Sequence, residues 1–100
     1  MITITISKNN VPIRLTVERW EHIVEEHGEL SGLQADVLGT VAEPTRILAG
    51  HEGELLATRQ VETGKWLVVV YRETDDDGFI ITAFLTRREG SLDRRKQLWP

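Results

Sequence analysis

Ile2, Ile4 and Ile6 alternate with Thr3, Thr5 and Ser7 at the start of the chain. A period of two is the spacing of a strand with one face buried. Lys8-Asn9-Asn10 is a turn signal, and Val11, Ile13 and Leu15 then alternate again, so an N-terminal hairpin is predicted. Pro12 has no N–H for a ladder and should place the second arm at an edge or a bulge. The spacing then lengthens. Val17, Trp20, Val24 and His27 share one helical face, with Ile23 at its border. Thr16 can cap this helix, Glu18 lies in its first turn, Leu15 and Trp20 form a hydrophobic staple, and Gly28 is placed to stop it. Ser31 with Gln34 makes a capping box for a second helix that buries Leu33, Val37 and Val41 and ends before Pro44.

Beyond Pro44 the pattern is one of strands. Thr45 to Ala49 is short, Gly50-His51-Glu52-Gly53 turns the chain, and Glu54 to Val61 returns. After the tight turn at Thr63-Gly64, the run Trp66 to Tyr71 is continuously apolar, which suits a central strand covered on both faces. Thr74 to Gly78 is an acidic loop before the last strand, Phe79 to Thr86. Simple alternation puts Thr82 with Ile80, Phe84 and Thr86, and puts Phe79, Ile81, Ala83 and Leu85 on the other face. The prediction is an α+β domain over 1–100: an N-terminal hairpin or strand and two helices packed on a four-stranded antiparallel meander. In the tail, Leu92 and Trp99 stand at i and i+7, so 91–100 is either a short helix or an arm that docks on a neighbour.

Composition narrows the chemistry. The 100 residues are 40% hydrophobic and 28% charged, ordinary for a folded domain. There is no cysteine, which removes disulfides, thiolate ligands and thiol catalysis. The first residues lack the pattern of a signal peptide, and no apolar run approaches the about 18 residues that span a bilayer, so a cytoplasmic protein without a membrane is expected. The formal charge of −4 argues against a broad nucleic-acid-coating surface. It is unevenly spread, however. Arg87, Arg88, Arg94, Arg95 and Lys96 face only Glu89 and Asp93 in the last fourteen positions.

The histidines are the groups able to trade protons near neutrality. His22 and His27 are five apart, about 140° around a helix, so they cannot grip one metal, and no metal site or cofactor is called for. His22 points to solvent and His51 sits in a turn with no evident role. His27 lies on the apolar face at the helix end, either as a buried histidine bonded to a carbonyl or as a catalytic group. Arg59 falls in phase with Leu55, Ala57 and Val61, so it requires an acidic partner or a ligand. Thr82 is either an ordinary strand residue or a hydroxyl for a phosphate oxygen. Arg87 and Arg88 offer forked donors suited to phosphate, Tyr71 a proton or a ring to stack on a base, and Lys65 a weaker cation.

The segments Leu15–Ile23, Glu26–Leu30, Pro44–Ile47, Leu67–Tyr71 and Phe79–Thr86 together resemble small bacterial, cyanobacterial and phage proteins grouped with the barnase–EndoU–colicin–RelE-like nuclease superfamily. That resemblance implies helices on a four-stranded antiparallel sheet and a metal-independent endoribonuclease, often a toxin. By position, His27 matches the helix-end histidine, Arg59 a strand cation and Thr82 the polar residue of the last strand, with Arg87, Arg88, Tyr71 and Lys65 left to bind RNA. Gly28 stands where relatives often have proline. The other reading is a binding module without catalysis or one member of a toxin–antitoxin-like pair, joined to a protein partner or to itself through Leu92–Pro100.

Overall fold

The computed structural model describes Ile2–Pro100. Strands β1 (Ile2–Ile6) and β2 (Pro12–Thr16) form the N-terminal hairpin. Its turn is held by the Ser7 hydroxyl, which accepts from Val11 N–H at 3.3 Å, and by Asn10 at a positive φ of 68°. Helix α1 (Val17–Glu26) follows, then a 3-10 turn (Gly28–Leu30) and helix α2 (Gln34–Ala42). Strands β3 (Arg46–Ala49), β4 (Leu55–Glu62), β5 (Lys65–Glu73) and β6 (Gly78–Thr86) come next. A short helix α3 (Glu89–Asp93) and strand β7 (Gln97–Trp99) complete the chain.

The α+β class stands, but the four-stranded antiparallel meander does not. Among the described residues the strands form one seven-stranded mixed sheet in the order β1-β2-β6-β5-β4-β3-β7. Strand β2 lies parallel to β6, pairing Ile13 with Gly78 and Arg14 with Phe79, and every other neighbour is antiparallel. A hairpin's alternation announces two strands and says nothing of which sheet edge they join, which is why the sequence pattern undercounted. Gly78 permits the junction: a Cβ there would collide with the Arg72 carbonyl and the Ile13 side chain. Strand β2 is consequently interior, contrary to the edge or bulge expected from Pro12. Proline is tolerated because it is the first residue of the strand, one position before pairing with β6 begins. The tail contains both the short helix and a strand. That strand is spent within the chain, pairing Trp99 with Ile47 and Gln97 with Leu48.

Two cores lie on the two faces of the sheet. On the first, Ile23, Leu30, Val37 and Val41 from the helices cover Ile13, Leu15, Ala57, Leu67, Val69, Tyr71, Ile80 and Ala83. On the second, Leu48, Leu56, Trp66 and Val68 pack with Leu92 of α3, beside Val70 and Phe84. Strand β5 feeds both, so its unbroken apolar run is what the middle strand of seven requires. The helix caps differ in detail from expectation. The Thr16 hydroxyl does accept from Arg19 N–H at 3.1 Å, but α1 ends on His27, one residue before Gly28. The first residue of α2 is Gln34 and its cap is Leu33 without a side-chain bond, because the 3-10 turn has taken up Ser31.

One irregularity decides the orientation of the last long strand. Val70 pairs with Thr82 and Tyr71 with Ile80, leaving Ile81 as an extra residue in β6. Ile80 therefore faces the helices, and so do Ala83 and Leu85. Thr82, Phe84 and Thr86, opposite Val70, Val68 and Trp66, face the second core. The predicted grouping of Ile80 with Thr82 is overturned by this bulge.

Candidate functional site

On the second face, where β6 ends and the chain turns back, a cleft of about 640 Å³ opens. Three pieces of chain build it. The turn between β3 and β4 contributes Gly50 and His51, the sheet contributes Leu56, Phe84 and Thr86, and the C-terminal segment contributes Arg88, Ser91, Leu92, Arg94, Arg95 and Lys96. Leu92 is buried and acts as the anchor of that segment. Arg46 holds Asp93 at 3.0 Å, and Arg95 Nη1 donates to the Ala49 carbonyl at 3.3 Å, tying the wall to β3. Arg88 N–H donates to the Thr86 hydroxyl at 3.1 Å, which fixes the corner between β6 and α3.

The electrostatics of this cleft oppose those of the chain. No carboxylate lines it, and Arg88, Arg94, Arg95 and Lys96 make no ion pair among the described residues. A positive recess with an apolar floor concentrates field lines and draws anions even when the net charge is −4. Next to it, Glu54 is held below the ordinary carboxylate range, first by the Glu52 N–H that donates to it at 2.7 Å and then by its own backbone N–H. Ionised Glu54 keeps the turn that carries His51 in shape. Gly50 is part of that arrangement, since a Cβ there would strike the Glu54 carboxyl group.

The residues singled out from sequence are dispersed. Arg59 pairs with Leu67 and so lies on the helix-covered face. Its guanidinium reaches the Asp36 carbonyl at 3.5 Å and the Asp36 carboxylate at 3.8 Å, and it runs under Gly39 of α2. Thr82 is on the opposite face, so Arg59 and Thr82 do not meet in one site. His27 ends α1, donates its backbone N–H to Ile23, and sets its ring 6.3 Å from that of Phe84. It stands beside the cleft without lining it. Arg87 is engaged with Glu62 at 3.1 Å, and Lys65 borders a shallow hollow with Glu29, Asp36 and Glu62. Tyr71 is fully buried in the helix-side core, where burial first and then the charge of Glu73 push its phenol up. Arg88 alone of the expected substrate-binding group lines the cleft.

Sequence reasoning missed His51, Arg94, Arg95 and Lys96 as a set. The basic bias of the last fourteen positions was the available signal. What it lacked was the pairing of β7 with β3, which brings that segment over the β3–β4 turn. Family models, curated proteins and solved structures were each compared with this chain, and none matches. Among the described residues no helix is long and apolar enough to cross a membrane.

Proposed function

We propose that this protein is a metal-independent endoribonuclease that seats an RNA phosphate in the cleft beneath α3. The observation that carries the proposal is that Arg88, Arg94, Arg95 and Lys96 line one cleft with His51, with hydroxyls from Thr86 and Ser91 and no lining carboxylate. Forked and point cations neutralise a phosphodiester and, more strongly, the extra charge of its transition state. The imidazole of His51 takes the proton of a 2′-hydroxyl as that oxygen attacks the adjacent phosphorus. The P–O5′ bond breaks, the 5′ oxygen takes a proton from water, and the products carry a 2′,3′-cyclic phosphate and a 5′-hydroxyl. The site is the cleft, not the trio His27, Arg59 and Thr82. The resemblance to the RelE- and barnase-like nucleases supports the same reaction class and a cytoplasmic RNA target.

The test is incubation of the purified protein with single-stranded RNA in EDTA. Cleavage with cyclic-phosphate ends is expected, with His51→Ala about 10²-fold or more slower and Arg94→Ala weaker in binding. Cleavage unchanged in His51→Ala, or no cleavage by any form, overturns the proposal.

A further inference from the structure

The rim of the cleft accounts for a phosphate, and its floor is the margin of the second core, with one aromatic ring left open to the cleft. Leu56, Phe84 and Leu92 are apolar, and Phe84 is a half-buried ring open to the cleft. A site built only for phosphate has no use for a phenyl face there. The bulge at Ile81 is what turns that ring to this side of the sheet, whereas an uninterrupted strand would aim it at the helices. The ring of His27 lies 6.3 Å away and tilted by 40°, within the range of aromatic pairing, so it props Phe84 from the side of α1.

We infer that Phe84 is the platform on which one unpaired nucleobase stacks while Arg88, Arg94 and Lys96 hold its phosphate. This rests on the cleft being a phosphate site, and it makes the ligand a single-stranded nucleic acid. Every base has an apolar face that an aromatic side chain accepts, but only a base that has left its helix can present it. Phe84 is a specificity residue in this scheme, His27 positions its ring, and neither moves a proton.

The experiment measures binding of a 2′-O-methyl oligoribonucleotide, which cannot be cleaved, of the same strand annealed to its complement, and of inorganic polyphosphate. Wild type is compared with Phe84→Leu, Phe84→Trp and Arg94→Ala, each checked for an unchanged melting temperature. Phe84→Leu is expected to weaken single-strand binding by about tenfold, Phe84→Trp to preserve it, and both to leave polyphosphate binding as it was. The duplex should bind no better than polyphosphate. If Phe84→Leu leaves the single strand unaffected, or weakens polyphosphate equally, the platform is refuted while phosphate binding stands. If no probe binds wild type, or Arg94→Ala changes nothing, the phosphate reading falls and the platform with it.

Discussion

Tyr71 illustrates how a residue's surroundings decide what it can do. Its ring is closed off by the helix-side core, where a phenolate would lack water. Burial raises its folded pKa above the unfolded value of about 10. A raised pKa means the folded state keeps a proton that the unfolded state releases. The associated stability is whole below about pH 10 and is lost as pH rises beyond it. As Tyr71 is the sole tyrosine, the phenolate absorbance on alkaline titration should appear together with loss of helical circular dichroism. Ionisation at pH 10 in a fully folded protein would contradict its burial. Residue-scale reading from sequence succeeded where one neighbour settles the matter. Ile13 and Leu15 are buried as their alternation requires, and Arg59 found an acid, Asp36, as one of its two readings had it, whereas Ile2, Ile4 and Ile6, read from the same period, are exposed on the edge strand β1. It did not reach the surroundings of His51, which come from residues some forty positions later in the chain.

At the scale of elements, the positions of strands and of the two main helices were legible, because periodicity is a local property. Register and partnership are not. Nothing in Phe79–Thr86 distinguishes a regular strand from one that holds an extra residue, because the bulge arises from the mismatch between β6 and β5. Deleting Ile81 should expose how much depends on it. Without it, Tyr71–Ile80 and Val70–Thr82 become consecutive pairs of a regular ladder, so Thr82, Phe84 and Thr86 keep the second face and Ala83 and Leu85 keep the helices. Pairing beyond the bulge is preserved, so a loss within the ordinary range of single changes, about 0.5–3 kcal/mol, is expected in urea denaturation. A loss of about 4 kcal/mol or more would mean that β6 had changed its register and that Ile81 is not the extra residue.

The whole molecule is a curled sheet rather than a flat one. Helix α2 packs on β1, β4 and β5 together, and the Thr5 hydroxyl of β1 donates to the Leu38 carbonyl of α2 at 3.1 Å. The two ends of the sheet come round far enough for the Lys8 ammonium to sit 4.9 Å from the centre of the Trp99 ring. No reading of separate segments could anticipate this, because the first and last strands of the sheet meet only when all seven are in place. Removing Gln97–Pro100 should leave the six remaining strands paired, while Lys96 and Arg95 lose their fixed seat beside β3. We expect RNA affinity to fall by about tenfold or more, as two phosphate contacts are given up, with a flatter dependence on salt and a folded spectrum. An unchanged affinity would remove β7 from any part in the site. The same geometry has a mechanical side. Strand β7 is held to β3 by two residue pairs at the margin of the sheet, so tension on the C terminus directed away from that margin opens them one after another, like a zip, instead of shearing them at once. Lys96, the residue just before β7, bonds through its carbonyl to Ala49 N–H at 2.8 Å and is next in line. A pull at Pro100 would strip charge from the cleft well before it threatened either core.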